Sequence, residues 1–344
     1  MRRRLTWLVL LCAVIFFSQT VHAQSWQATV GAQSSDKGLQ ALGFLPTEIW
    51  IHAGESITWT FGTDEPHTVS FLAPMQVRPT YSAGCPDTNT TPDGSAFDGS
   101  ASACVNSGVI RTVGTTYTVT FPNPGNYKLV CLVHANQTGV VHVLAPSDPL
   151  PHNQDFYDRQ AAIQRHDLLS DRDNESSEHD DRGKKSEERH DHDFDEGHAH
   201  HHVIVTGTGE LVSTPGGIQS VSLMRFLRPN ITIHAGQTVE WASSDVSGHT
   251  VTFGQEPPNT TPETPKSANV FSDPDGALHA IINSTSDSVH SGRIAPAPQD
   301  RTNLAQSAPG ITRFRVTFTN PGIYPYICAF HDELGMTGEV IVLP

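Results

Sequence analysis

Three side chains suited to holding a soft metal ion lie close together near the C-terminal end of this chain. They are Cys328, His331 and Met336, spaced Cys-x2-His-x4-Met. A thiolate, an imidazole and a thioether are donors that copper uses in electron-transfer sites. There, two His and one Cys form a plane and a Met stands off axially. The stretch lacks a second His, and His249 in Gly248-His249-Thr250-Val251-Thr252-Phe253 supplies one upstream. The arrangement occurs twice. Cys131 and His134 repeat the Cys-x2-His spacing, and His67 in His67-Thr68-Val69-Ser70-Phe71 repeats the upstream His. Gln137 precedes Thr138-Gly139 where Met336 precedes Thr337-Gly338.

The correspondence runs well beyond these residues. Residues 44–54 are answered without a gap by 226–236, Trp59 by Trp241, and 118–125 by 315–322. An internal repeat with metal-type side chains at matching places is a stronger signal than either motif alone. The β-branched and aromatic runs 48–51, 56–61 and 117–121, separated by Pro/Gly turns, predict strands. Many short strands of this kind predict a β-sandwich for each copy. A chain of 344 residues with 24 Pro and 27 Gly has room for two such domains.

The Cys-x2-His-x4-Met loop with its upstream His resembles the copper loop of the cupredoxins, the plastocyanin, pseudoazurin and amicyanin group. The resemblance covers most of residues 40–147 and 223–344. It implies an all-β fold of two Greek-key sandwiches, each with one type 1 copper site. Carried over position by position, His249, Cys328 and His331 form one plane with Met336 axial. His67, Cys131 and His134 form the other, with Gln137 in the axial place. The second loop has the length of the pseudoazurin loop. The first is two residues shorter, a length that resembles amicyanin, with Gln where that loop has Met. An amide oxygen is a harder donor than a thioether and favours Cu(II), so the first site is expected to have the lower potential and to pass electrons to the second. In the family the second loop His lies at the surface, which makes His134 and His331 the expected points of electron entry and exit.

The upstream His and the Cys stand 64 residues apart in the first copy and 79 in the second. The surplus lies in a Pro/Ser/Asp-rich insertion, residues 254–306, whose His279 and His290 are expected as solvated loop residues. His52 and His234 sit beside matching turns and are read as structural or exposed. Cys85 and Cys104 bracket a polar Gly/Ser/Asp-rich loop. A disulfide between them is the expectation, with free thiols or a further metal site as alternatives.

Residues 1–23 read as a secretory signal, with Arg2-Arg3-Arg4, an apolar run over 5–17 and small residues at 21–23. The expected location is therefore periplasmic or extracellular, with a membrane anchor as the alternative if the signal is not cleaved. Cys12 leaves with it. The predicted domains span 24–147 and 203–344. Residues 148–202 between them are charged and His-rich, and are expected to be a disordered linker, apart from a short helix near 155–169 presenting Phe156 and Ile163. A flexible chain of that length spans on the order of 40 Å, so the domains are expected to move independently. Its His/Asp-rich end, His190 to His202, could bind Cu(II) or Zn(II) loosely.

A net charge of -15 argues against nucleic acid as a partner and leaves redox proteins as the expected ones. Three function classes follow. The first is an exported electron-transfer protein with two type 1 sites. The second is a copper storage or delivery protein in which the linker matters more than redox chemistry. The third is a copper oxidase or nitrite reductase, which by family analogy needs extra copper held by His-x-His pairs or by a His beside the Cys. The Cys neighbours here are Val130, Leu132, Ile327 and Ala329, and His-x-His occurs only in the linker. The expectation is a carrier and not an enzyme.

Overall fold

In the computed structural model, which describes residues 24–170, 202–258, 264–295 and 311–344, the alternating runs become strands with one face inward. The signal-like stretch 1–23 and the His/Asp-rich residues 190–201 lie outside the described residues. The first half opens with β1 (Ser25–Gln33), β2 (Leu39–Leu45), β3 (Glu48–His52), β4 (Ser56–Phe61) and β5 (Ser70–Phe71). It closes with β6 (Ser95–Ala96), β7 (Val105–Asn106), β8 (Thr116–Thr120), β9 (Gly125–Val130) and β10 (Thr138–Leu144). Ile57, Trp59 and Phe61 on β4 all point into the core, alternating with half-buried Ser56, Thr58 and Thr60. One sheet runs β2-β1-β4-β8-β6 and the other β3-β10-β9-β5-β7.

The second half repeats this plan. It begins with β11 (His202–Thr214), β12 (Gly217–Leu227), β13 (Asn230–His234), β14 (Thr238–Ser244) and β15 (Thr252–Phe253). It continues with β16 (Phe271–Ser272), β17 (Leu278–Ile282), β18 (Val289–His290), β19 (Arg313–Phe318), β20 (Gly322–Ile327) and β21 (Thr337–Leu343). The all-β pair of sandwiches is what the repeat predicts. Residues 254–306 are not simply a loop, because Leu278, Ala280 and Ile282 alternate inward and make β17 pair with β19. His279 therefore sits in a strand between Asp273 and Thr317, and His290 is buried against Thr252 Oγ1 at 2.8 Å. His52 and His234 lie at their turns, bonded to the carbonyls of Asp148 and Pro344. Cys85 and Cys104 form a disulfide.

The two halves are not independent. β2 pairs antiparallel with β12, matching Leu39 with Leu223, Gln40 with Ser222, Ala41 with Val221 and Leu42 with Ser220. The front sheets thereby fuse into one sheet of 11 strands. Every residue of β2 is buried, as expected for a strand covered on both faces. Ala32, Leu39, Ala41 and Leu45 from the first half form a separate small core with Val221 and Leu168.

Leu168 belongs to α1 (Gln154–Ser170), the short helix expected near 155–169, while residues 171–201 lie outside the described residues. Asn153 caps α1, its Oδ1 accepting from the Phe156 amide at 3.1 Å. The packed stripe is Tyr157, Ala161, Gln164 and Leu168, at helical spacing; of the two expected residues, Phe156 lies half-buried against the first core and Ile163 does not pack. Ile163 is exposed. Tyr157 reaches the first core and its hydroxyl bonds both the amide and the carbonyl of Trp50. Gln164 Oε1 accepts from the Thr47 amide at 3.3 Å and from Gln219 Nε2 at 3.2 Å, touching both halves. The independent motion anticipated for a tethered pair is therefore replaced by a paired and packed interface.

Truncating Leu168 to Ala should destabilise the protein by about 2–4 kcal/mol, since it removes most of a buried side chain from this small core. Urea unfolding checks this. An unchanged midpoint would show that α1 does not pack there.

Candidate metal centres

The upstream His of each half is held by a bridge across the end of the back sheet, His67 to Ile110 and His249 to Ile294. The next residue ties it to the Cys loop. Thr68 Oγ1 accepts from the Leu132 amide at 2.8 Å, and Thr250 Oγ1 from the Ala329 amide at 2.7 Å. The amides of Thr68 and Thr250 in turn point at the sulfurs of Cys131 and Cys328, at 3.4 and 3.3 Å. Each Cys loop is closed on itself by its own backbone. The Cys131 amide donates to the Gln137 carbonyl at 3.1 Å, and the Cys328 amide to the Met336 carbonyl at 3.0 Å.

The result is two triads of donors. In the first, Cys131 Sγ lies 3.9 Å from His67 Nδ1 and 3.7 Å from His134 Nδ1, and the two nitrogens are 3.2 Å apart. In the second, Cys328 Sγ lies 3.9 Å from His249 Nδ1 and 3.4 Å from His331 Nδ1, with the nitrogens 3.1 Å apart. Three donors bonded to one ion at about 2.0–2.3 Å in a plane stand roughly 3.5–3.8 Å from one another, so both triads fit a single ion. They are the two metal-capable groups of three or more such side chains among the described residues. Gln137 Oε1 is 2.7 Å from His67 Nδ1, and Met336 is fully buried in the core that holds Cys328. His279 and His290 belong to neither triad.

The electrostatics suit a thiolate. Burial alone would push both thiols up, but hydrogen bonds and charge from the neighbouring imidazoles hold Cys131 and Cys328 well below the ordinary thiol value. Burial likewise disfavours imidazolium. Cys131 and Glu65 outweigh it at His134, raised to about 9, and Cys328 and Glu65 do so at His331, raised well above the usual value. The Nδ1 atoms of His134 and His331 would have to give up any proton to hold an ion.

Several residues around the triads escaped the sequence reading. Gly31 and Gly207 lie at bulges of β1 and β11, both with positive φ (66° and 72°). A Cβ there would come within 2.7 Å of His67 Nε2 or 2.6 Å of His249 Nε2, so only glycine lets these strands back the imidazoles closely. Asp245, fully buried, accepts from His249 Nε2 at 2.7 Å and from Ser222 at 2.7 Å. The first half has Thr63 at the matching position, and His67 Nε2 has no partner. Arg78 reaches the carbonyls of Cys131, His134 and Ala135 from the disulfide-bearing loop. Glu65, buried, lies 3.1 Å from His134 Nε2 and 3.6 Å from His331 Nε2. The two loop His are thus not outward-facing ports. Their side chains are only 10% and 5% exposed and turn toward one carboxylate.

A family model for copper binding proteins, plastocyanin/azurin family, matches residues 30–144 and again 212–343. The chain is 29% identical over 122 residues to the chloroplastic plastocyanin of Tetradesmus obliquus, covering 36% of this chain and 68% of that one. Among solved structures it is similar to the amicyanin of Paracoccus versutus, at 19% identity and TM-score 0.24, covering 36% of this chain and 86% of that one. It is similar too to a purple cupredoxin from Nitrosopumilus maritimus, at 22% identity and TM-score 0.20, covering 41% and 99%.

Gly207→Ala should displace the His249 ring and weaken metal binding in the second triad about tenfold or more, leaving the first unchanged. Calorimetric titration of the purified chain with copper reads both. Equal affinities in the second triad would show that the close backing of His249 is unimportant.

Proposed function

Because this chain belongs to the plastocyanin/azurin family of copper-binding proteins, we propose that it is an exported electron-transfer protein with a type 1 copper site in each half. The observation that carries this reading is the convergence, twice, of one Cys sulfur and two Nδ1 atoms within 4.8 Å of one another. Bound copper would supply a one-electron Cu(I)/Cu(II) couple at each triad. His67, Cys131 and His134 would hold the first ion with Gln137 in the axial place. His249, Cys328 and His331 would hold the second with Met336.

The chain's part is rigidity. Each thiolate receives a backbone amide, each upstream imidazole is backed by a bulge glycine, and each loop closes through its own amides. Ligands fixed this way change little when an electron arrives or leaves. The two sites differ in two opposed respects. The harder Gln137 oxygen favours Cu(II) in the first site. The Asp245 carboxylate makes His249 a stronger donor and favours Cu(II) in the second.

The carrier reading needs redox proteins as partners. The net charge of -15 argues against nucleic acid. Export is supported by the signal-like stretch 1–23 and by the Cys85–Cys104 disulfide, which suits an oxidising compartment. No helix among the described residues is long and apolar enough to cross a membrane.

The copper-loaded chain should show an intense visible thiolate-to-copper band from each site. Cys131→Ser and Cys328→Ser should each remove one, and colour persisting in the double variant would refute the ligand assignment. Gln137→Met should raise the potential of the first site and Asp245→Asn that of the second, read by spectroelectrochemical titration. Copper surrendered at once to a mild chelator would instead favour a delivery role.

A further inference from the structure

The first half contributes one buried carboxylate that serves both triads. Glu65 is 2% exposed. Its Oε1 stands 3.1 Å from His134 Nε2 and 3.6 Å from His331 Nε2, while its Oε2 has no partner. The Glu65 amide donates to Thr63 Oγ1 at 3.0 Å, which fixes the backbone from which the side chain reaches out. A buried carboxylate is costly unless it is paired, so these two imidazoles account for its position. Each His presents Nδ1 to its own Cys, leaving Nε2–H as its outward donor. A single oxygen serves both imidazoles, hydrogen-bonded to His134 and ion-paired with His331.

We propose that Glu65 joins the two metal sites into one coupled unit. It fixes the Nε2–H tautomer and ring orientation of His134 and His331 together. It also provides a three-residue link, His134–Glu65–His331, along which the sites exchange an electron. This rests on the copper reading above. The exchange is internally balanced. One site loses the electron that the other gains, no proton is transferred and no bond is broken. Glu65 is a positioning residue shared by two sites, and Ser247, its counterpart in the second half, supplies no such carboxylate. The matching geometry at the back of the sites is different in kind, since Asp245 bonds one site imidazole, that of His249, and Ser222. The fused sheet and the Arg225 contacts hold the junction in register. Arg225 donates to the Leu334 carbonyl in the second copper loop at 2.7 Å and to the Asp36 carbonyl in the first half at 2.7 Å.

The test compares full-length wild type with Glu65→Gln and with Glu65→Asp, which keeps the charge but draws the oxygens back. In the metal-free protein, nitrogen NMR should show the Nε2 signals of both His134 and His331 moving in each variant. In the copper-loaded protein, Cys328→Ser should perturb the first site's visible and EPR spectra in wild type, and that cross-effect should vanish in Glu65→Gln. Electron exchange between the sites should slow roughly tenfold to a hundredfold in Glu65→Gln, the range seen when a partner of a metal-bound His is removed. If only one His signal moves, or the cross-effect survives in Glu65→Gln, the coupling is not through Glu65. The metal-free measurement stands whether or not the ions are type 1 copper, so its failure is distinguishable from failure of the copper reading.

Discussion

The pairing of β2 with β12 is the constraint from which the arrangement of the sites follows. Either sandwich would form its own triad, because the Thr-to-loop hydrogen bonds and the amide-to-sulfur contacts are internal to each half. What neither half supplies alone is the position of the other. By extending one sheet through both, the β2–β12 register turns the two Cys loops toward a common junction where Glu65 is shielded from water. The small core around Leu168 and Val221 and the Arg225 contacts then hold that register against sliding. A strand shifted by one residue would exchange its faces and bury the wrong side chains, so the register is strongly specified.

This placement changes how the two sites stand to their surroundings. In a single-domain relative, the loop His is expected at the surface. Here both loop His side chains face inward to a shared carboxylate. Burying Glu65 is tolerable because two imidazoles converge on it, and the interface loses much of its reason for polarity if either His is removed. The asymmetry between the halves is local and chemical. Gln137 stands against Met336, Thr63 against Asp245, and Glu65 against Ser247.

Much of the site was legible in the sequence because metal chemistry restricts residue type and spacing together. His67, Cys131, His134, His249, Cys328 and His331 could be paired from the repeat alone, and the structure brings each set into one group. Gln137 was legible through the Thr-Gly that follows it. Glu65, Asp245 and Arg78 were not, since a lone acidic or basic residue carries no spacing signature and its meaning depends on what folds against it. Gly31 and Gly207 left a faint trace as glycines within strand-like runs, which mark bulges or close approaches. The interface was hidden for another reason. The run Leu39, Ala41, Leu42, Phe44 and Leu45 is apolar on both faces, the mark of a strand covered twice, but nothing in it says that the second cover is the other half of the chain. In α1, the buried stripe contains Ala161 and Gln164, so a search for large apolar residues finds Phe156, which packs, and Ile163, which does not.

The most direct test of this account is the distance between the two metal ions in the doubly Cu(II)-loaded chain, measured by pulsed dipolar EPR. Two sites held against one carboxylate by a continuous sheet should give one short, narrow distance. A broad spread extending toward the roughly 40 Å reach of a flexible tether would contradict it.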